Sequence, residues 1–168
     1  MKNRLESVSN VAIILGVLIL GGLMARDRLG PTGGKRNVGD LKPGVRLDPP
    51  AAYDWSKQPY TLLVALRDGC KYCEQSVPFY QRLAAREREH QLSAHLLAVI
   101  ASSESAARDY AASLNLTWQF LPNADFAKLK IPATPTLILI DASGQVRQAW
   151  VGALTDAAEA EVLRAVGR

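Results

Sequence analysis

The sequence predicts an α/β fold, a central mixed β-sheet flanked by helices, with one N-terminal transmembrane helix ahead of it. Three observations carry this prediction. From residue 60 onward, short apolar runs rich in strand formers alternate with stretches whose apolar residues recur every three or four positions. A Cys-x-x-Cys pair, Cys70 to Cys73, falls where the first apolar run gives way to the first amphipathic stretch. Residues 7–25 carry no charge.

Ser7 to Ala25 is 19 residues long. At about 1.5 Å per helical residue it nearly crosses a hydrocarbon core about 30 Å thick. A cleaved signal peptide is the competing reading, but a cut after Ala25 puts Leu23 where a small residue is needed. A buried core helix would show a polar face, and none appears at any helical spacing. The segment is therefore expected to stay as a membrane anchor. Leu29 to Asp40 follows, rich in Gly, Pro and charge without apolar periodicity, and reads as a linker. The expected division is a flank at 1–6, an anchor at 7–25, a linker at 26–44 and one domain at 45–168.

The formal charge of +4 is unevenly distributed. Residues 1–46 hold eight Lys and Arg against three acids, which leaves twelve against thirteen for the rest. The predicted domain is nearly neutral, so it lacks the basic face with interleaved aromatics that a nucleic-acid binder carries, and no nucleic-acid partner is expected.

Within the domain, Tyr60 to Leu66 is a continuous apolar run closed by Arg67-Asp68-Gly69, which predicts a buried strand and a turn. A helix is expected from Lys71 to about Glu89, with Val77, Tyr80, Leu83 and Ala84 on its inner face. Ala94 to Ile100 reads as a second buried strand and Ser105 to Leu114 as a second helix. The stretch holding Trp118 and Phe120 has no clear period. Thr136 to Ile140, the turn Asp141-Ala-Ser-Gly144 and Gln145 to Val151 form a hairpin. Thr155 then caps a last helix to about Val166, with Asp156 suiting the helix dipole in the first turn.

The chain has two cysteines, both in this pair. At a helix start, unpaired backbone N–H groups favour a thiolate over a thiol, and Lys71 adds a positive neighbour that tunes Cys70 the same way. Cys70 is expected to attack a disulfide and Cys73, one turn deeper, to resolve the mixed disulfide. Tyr72, between the two, is expected at the mouth of the site, against a docking partner.

Cys70-Lys-Tyr-Cys73, with Pro78 five residues after the second cysteine, resembles the thioredoxin active-site helix and its kinking proline. Ile131-Pro-Ala-Thr-Pro-Thr-Leu-Ile-Leu-Ile-Asp-Ala-Ser-Gly-Gln-Val146 resembles the redoxin segment in which a cis-proline precedes a strand and a Gly-containing turn. Val38-Gly39-Asp40 and Val151-Gly-Ala-Leu-Thr155 are similar to the same branch, which includes membrane-tethered TlpA-like and ResA-like proteins. This resemblance to the thioredoxin-like superfamily implies a thioredoxin-like fold and thiol–disulfide oxidoreductase activity. It also implies that Pro135 is the cis residue and that the backbone at Thr134 and Pro135 binds the substrate chain as an added strand. No cofactor is implied beyond the redox-active Cys70–Cys73 disulfide, and the implied partners are protein thiols and disulfides together with a membrane or soluble redox donor. The sequence departs from the family at three positions: Gly69 replaces the usual Trp, Val64 takes the register of a buried Asp, and Ser76 stands where a Glu often lies. Glu74, Asp68 or water is left to take the proton from Cys73. No Pro-x-x-x-Thr-x-x-Cys spacing precedes Cys70, which argues against a peroxiredoxin.

Both flanks of the anchor are basic: Lys2 and Arg4 before it, Arg26, Arg28, Lys35 and Arg36 after it. Charge counting alone sends the domain to the cytoplasm, whereas disulfide chemistry fits an oxidising compartment. A single pass of the cell membrane with an extracytoplasmic, periplasmic domain is expected.

The rival reading is zinc, since Cys70, Cys73, His90 and His95 have the order C-x2-C-x16-H-x4-H. The predicted helix carries His90 roughly 25 Å from Cys73 at 1.5 Å per residue, so no metal site is expected. An inert structural disulfide is disfavoured because bridging one helical turn closes almost no loop. Trp55, Trp118 and Trp150 are read as packing residues. The alternative function is a tethered thioredoxin-fold adaptor that binds partner proteins without turnover.

Overall fold

A computed structural model describes residues 39–168. Five strands form one sheet in the order β3-β2-β1-β4-β5: β1 Tyr60–Leu66, β2 His95–Ile100, β3 Gln119–Leu121, β4 Thr136–Asp141 and β5 Val146–Val151. β1 runs parallel to β2 and antiparallel to β4, so the sheet is mixed. Four helices complete the fold: α1 Lys71–Gln75, α2 Val77–Arg88, α3 Glu104–Ser113 and α4 Asp156–Val166.

The central strands are apolar throughout because both faces of the sheet are covered. Leu62, Val64, Leu66, Leu96, Ala98 and Ile100 meet the buried residues of α2, α3 and α4. Leu63, Ala65, Leu97, Val99, Ile138 and Ile140 face the other way and are closed over by Leu41, Leu47, Trp55, Leu129 and Ile131, all outside the four helices. The core thus takes in Leu41, from the stretch read as linker. Trp55, Trp118 and Trp150 are all buried.

The single helix expected from Lys71 to Glu89 is two helices that meet at Ser76. Pro78 has no N–H for the carbonyl four residues back, and its ring crowds that carbonyl. The chain re-registers instead: the Ser76 amide donates to Cys73 O and Glu74 O, while Phe79 and Tyr80 both donate to Ser76 O. The unassigned stretch around Trp118 and Phe120 contains β3, parallel to β2 and three residues long. Thr155 caps α4 by accepting from the Ala158 amide, with Asp156 in the first turn. Among the described residues no helix is long and apolar enough to cross a membrane, and the span expected at 7–25 lies outside them.

The β4–β5 turn is built around Asp141, whose carboxylate accepts from the Ser143 amide at 2.9 Å, the Ser143 hydroxyl at 2.7 Å and the Gln145 amide at 3.0 Å. Arg147 pairs with it at 2.8 Å. Burial works against the charged carboxylate, but the Ser143 hydroxyl, the two amides and the Arg147 guanidinium together hold it below its ordinary 3.8. Gly144 follows at φ +80°, and a Cβ there would lie 2.9 Å from both the Leu47 carbonyl and the Trp55 ring.

Two predictions follow from this turn. Gly144→Ala should cost about 1–3 kcal/mol through its left-handed backbone alone, and more through the clash; urea unfolding measures it, and an unchanged midpoint would contradict it. The unfolded chain, with the higher Asp141 value, takes up this proton first as the pH falls. The carboxylate's stabilisation should therefore be full above 3.8 and decay as the pH drops through the lower folded value. The stability gap between wild type and Asp141→Asn should shrink between pH 6 and about pH 2.5.

Candidate functional site

The cysteine pair sits where β1 hands over to α1. Gly69 has φ +69°, a left-handed conformation that favours glycine, although a Cβ there would meet nothing within 4 Å. The residue type at this departure from the redoxin pattern is thus set by the backbone rather than by crowding. The Cys70 amide closes the turn on the Arg67 carbonyl at 3.2 Å.

Cys70 is the N-cap of α1 and is disulfide-bonded to Cys73, with Cα atoms 5.2 Å apart. The two sulfurs differ in access: Cys70 is half-buried, and Cys73 is 0% exposed. Cys70 Sγ accepts from the Cys73 amide at 3.2 Å and from Thr134 Oγ1 at 3.4 Å. The Thr134 carbonyl lies 3.5 Å from the same sulfur. In the disulfide this last approach is a contact, because the sulfur has no proton; in the dithiol state the Cys70 S–H can donate to that oxygen. Once Cys70 is a thiolate, the Cys73 amide and the Thr134 hydroxyl are the donors that favour it.

Thr134 reaches Cys70 across 64 residues of sequence because β1 and β4 are neighbours, with Ala65 opposite Thr136. The Thr134–Pro135 bond is cis. The segment is held from both sides: Gly152 N donates to Pro135 O at 2.6 Å, and Thr136 Oγ1 to Ala133 O at 2.7 Å. Cys70, Cys73, Thr134 and Pro135 are therefore together, while Lys71 and Tyr72 are exposed at the start of α1, Tyr72 to 56%. Sequence reasoning missed a further tie, the Arg67 guanidinium 5.4 Å from the centre of the Phe126 ring. Neither residue lies in a motif, so spacing gives no signal for it.

Glu74 and Asp68 are both exposed. Val64 pairs in register with Ala98 and Leu137, three apolar side chains where a buried acid would have sat. Sequence reasoning also missed the buried hydroxyls of Tyr80 and Tyr110, which share a core cluster with Cys73. The available signal was a tyrosine at a core position, whose O–H needs a partner.

The two histidines are engaged elsewhere. His90 follows α2 at φ +55°, and His95 opens β2 with its Nδ1 3.3 Å from Glu87 and its Nε2 3.3 Å from Gln119. Among the described residues no group of three or more His, Cys, Asp or Glu is placed to hold a metal ion.

A family model for the thioredoxin-like domain matches residues 53–167. No curated protein matches the chain. Several solved structures share the fold. A Chlorobium tepidum protein assigned as the thiol:disulfide interchange protein DsbE superposes with a TM-score of 0.60 at 18% identity, covering 74% of this chain and 94% of that one. A thiol:disulfide interchange protein from Bacteroides sp. gives 0.58 at 15% identity over 74% and 90%. StoA from Bacillus subtilis gives 0.52 at 17% identity over 67% and 84%.

The difference in access predicts the order of modification. In the reduced protein a small alkylating agent should label Cys70 well before Cys73, as read by peptide mass spectrometry over a time course. Equal labelling rates at the two thiols would refute this.

Proposed function

This chain belongs to the thioredoxin-like family, and from that premise we propose that it is a membrane-anchored thiol–disulfide oxidoreductase that exchanges disulfides with partner proteins. One observation carries the reading: a half-buried Cys70 bonded to a fully buried Cys73, with the Thr134 backbone against the Cys70 sulfur. A disulfide with one approachable sulfur directs attack to that sulfur, and after reduction the same sulfur is the one that can reach a partner.

In the reducing direction the Cys70 thiolate attacks a partner disulfide, forming a Cys70–partner bond and releasing one partner thiolate. Cys73 then attacks Cys70, the Cys70–partner bond breaks, and the second partner sulfur leaves. The partner disulfide gains two electrons and the Cys70–Cys73 pair loses them. The reverse sequence oxidises a partner dithiol. Thr134 and Pro135 supply the backbone against which an extended partner segment docks, and Tyr72 offers it an exposed ring. Lys71 keeps a positive charge beside Cys70. No cofactor is needed, because the electrons stay on sulfur.

The uncharged run at 7–25 supports anchoring in the cell membrane, and the disulfide chemistry supports an extracytoplasmic, periplasmic domain. The names of the structural neighbours from Chlorobium tepidum and Bacteroides sp. support protein disulfides as the substrate class.

Cys73→Ser should trap the intermediate. Cys70 still attacks, but nothing displaces it, so covalent complexes should accumulate in the membrane fraction as high-mass bands on a non-reducing gel. They should collapse with a thiol reductant and be absent when Cys70 is also replaced. Extracytoplasmic proteins among the trapped partners support the topology, and cytosolic ones overturn it. An empty trap, with the double variant still binding its neighbours, replaces the enzyme with the adaptor.

A further inference from the structure

Leu63 and Ala65 of β1 face the cluster on the non-helical side of the sheet, and Arg67 is the next position of that alternation. β1 has ended by then, and Arg67 is exposed. Its guanidinium lies 5.4 Å from the centre of the Phe126 ring, which packs half-buried against the same cluster. The backbone brings the ring there. Ala124 donates to the Ile100 carbonyl at 3.1 Å, and Ile100 pairs in register with Leu66, the residue before Arg67. The ring face attracts the cation and restrains it without using its hydrogen-bond donors.

This contact joins the two chain segments that build the exchange site. The Arg67 carbonyl accepts from the Cys70 amide at 3.2 Å, a four-residue turn that keeps the two Cα atoms within about 7 Å. The Phe126 carbonyl accepts from the Ile131 amide at 2.8 Å. Ile131 opens the short segment that ends with the Thr134 carbonyl 3.5 Å from the Cys70 sulfur.

Arg67 is held there without a carboxylate. None of the ion pairs among the described residues includes it, and the ring is its one recorded side-chain partner there. Asp125, the acid next to the ring, is committed to its own turn: Oδ1 accepts from the Ala127 and Lys128 amides, both at 3.1 Å, and Oδ2 faces Lys128 Nζ at 3.9 Å. Asp68, next to Arg67 in the chain, and Glu74 on α1 are exposed and do not pair with it. A guanidinium fixed by its face keeps its fork of N–H donors open.

We infer that Arg67, steadied by Phe126, is a specificity-determining residue that pairs with a carboxylate of the partner segment one or two residues from the cysteine that Cys70 attacks. The inference rests on the exchange reading above and narrows its substrates to protein disulfides flanked by Asp or Glu. An extended partner docked along Thr134 advances about 3.3 Å per residue, so one or two residues cover the span of the turn from Cys70 to Arg67. The planar fork suits a carboxylate through two parallel hydrogen bonds. A partner with Lys at the same place meets a like charge and is disfavoured.

The full chain, solubilised in detergent and reduced, is mixed with three peptides that each close one internal disulfide and differ only in the residues flanking the cysteines: Glu, Gln or Lys. In each reaction the Cys70–Cys73 dithiol loses two electrons and two protons, and the peptide disulfide takes them up. Second-order rates are read by acid quench and mass spectrometry for wild type, Arg67→Gln, Arg67→Lys and Phe126→Leu. In wild type the Glu peptide should react fastest and the Lys peptide slowest. The Glu-to-Gln ratio should fall as ionic strength rises from about 0.02 M to about 0.5 M. At low salt that ratio should drop about fivefold in Arg67→Gln and stay nearer the wild-type value in Arg67→Lys. Phe126→Leu, which keeps the charge and frees the side chain that carries it, should lose part of the ratio. A change in Cys70 reactivity alone moves all three rates together, so a ratio unchanged in Arg67→Gln overturns the inference and leaves exchange standing. Failure of wild type to reduce any of the peptides would instead sink the exchange reading. If Phe126→Leu unfolds, the two variants of the exposed Arg67 still read the ratio.

Discussion

The antiparallel pairing of β1 with β4 is the constraint on which the rest depends. Ala65 stands opposite Thr136, so the chain leaving β1 and the chain entering β4 emerge at the same end of the sheet. The first carries Cys70 and the second carries Thr134, which is why a sulfur and a backbone carbonyl 64 residues apart lie 3.5 Å from each other. A one-residue slip in this ladder would move every side chain of β4 to the opposite face, mispacking the clusters on both sides of the sheet and shifting Thr134 relative to Cys70. The same pairing that packs the core therefore sets the geometry at the cysteines.

The two faces of the sheet are closed by different means, and the difference bears on the site. Helical side chains close the face that holds Cys73, and α1 breaks from α2 at Ser76 on that side. The break lets one short turn carry the cysteines while a longer helix, started afresh, carries Tyr80 into the core. On the other face the chain before β1 and the loop between β3 and β4 do the work. Trp55 donates to the Leu47 carbonyl at 3.0 Å and lies over Gly144, so the hairpin turn and the incoming chain are packed as one unit.

The parts of the molecule legible in the sequence were those with a period or a spacing. β1, β2 and β4 each hold an uninterrupted run of four or five apolar residues, and such runs are recognisable in isolation. The Cys70–Cys73 spacing and the Thr134-Pro135 segment stood out by their resemblance to redoxins. The helix break did not, because the apolar period of Val77, Tyr80, Leu83 and Ala84 begins only after it and so gives no sign of an interruption, while the cause is a missing donor at Pro78. β3 escaped because three residues are too few to show alternation. The buried hydroxyls escaped because a tyrosine on the inner face of a helix reads as one more apolar residue until its environment is known.

That short third strand has a consequence for how the molecule behaves in company. It forms one rim of the sheet, and Pro122, directly after it, has no N–H to offer a neighbour. At the opposite rim the start of β5 is already occupied: Gly44 donates to the Val146 carbonyl and Val146 to the Val45 carbonyl, both at 2.8 Å. Long unpaired rims are where folded β-proteins recruit one another into aggregates. With one rim cut short and the other partly sealed by its own chain, this domain offers little template for such stacking, even when copies are crowded together on a surface.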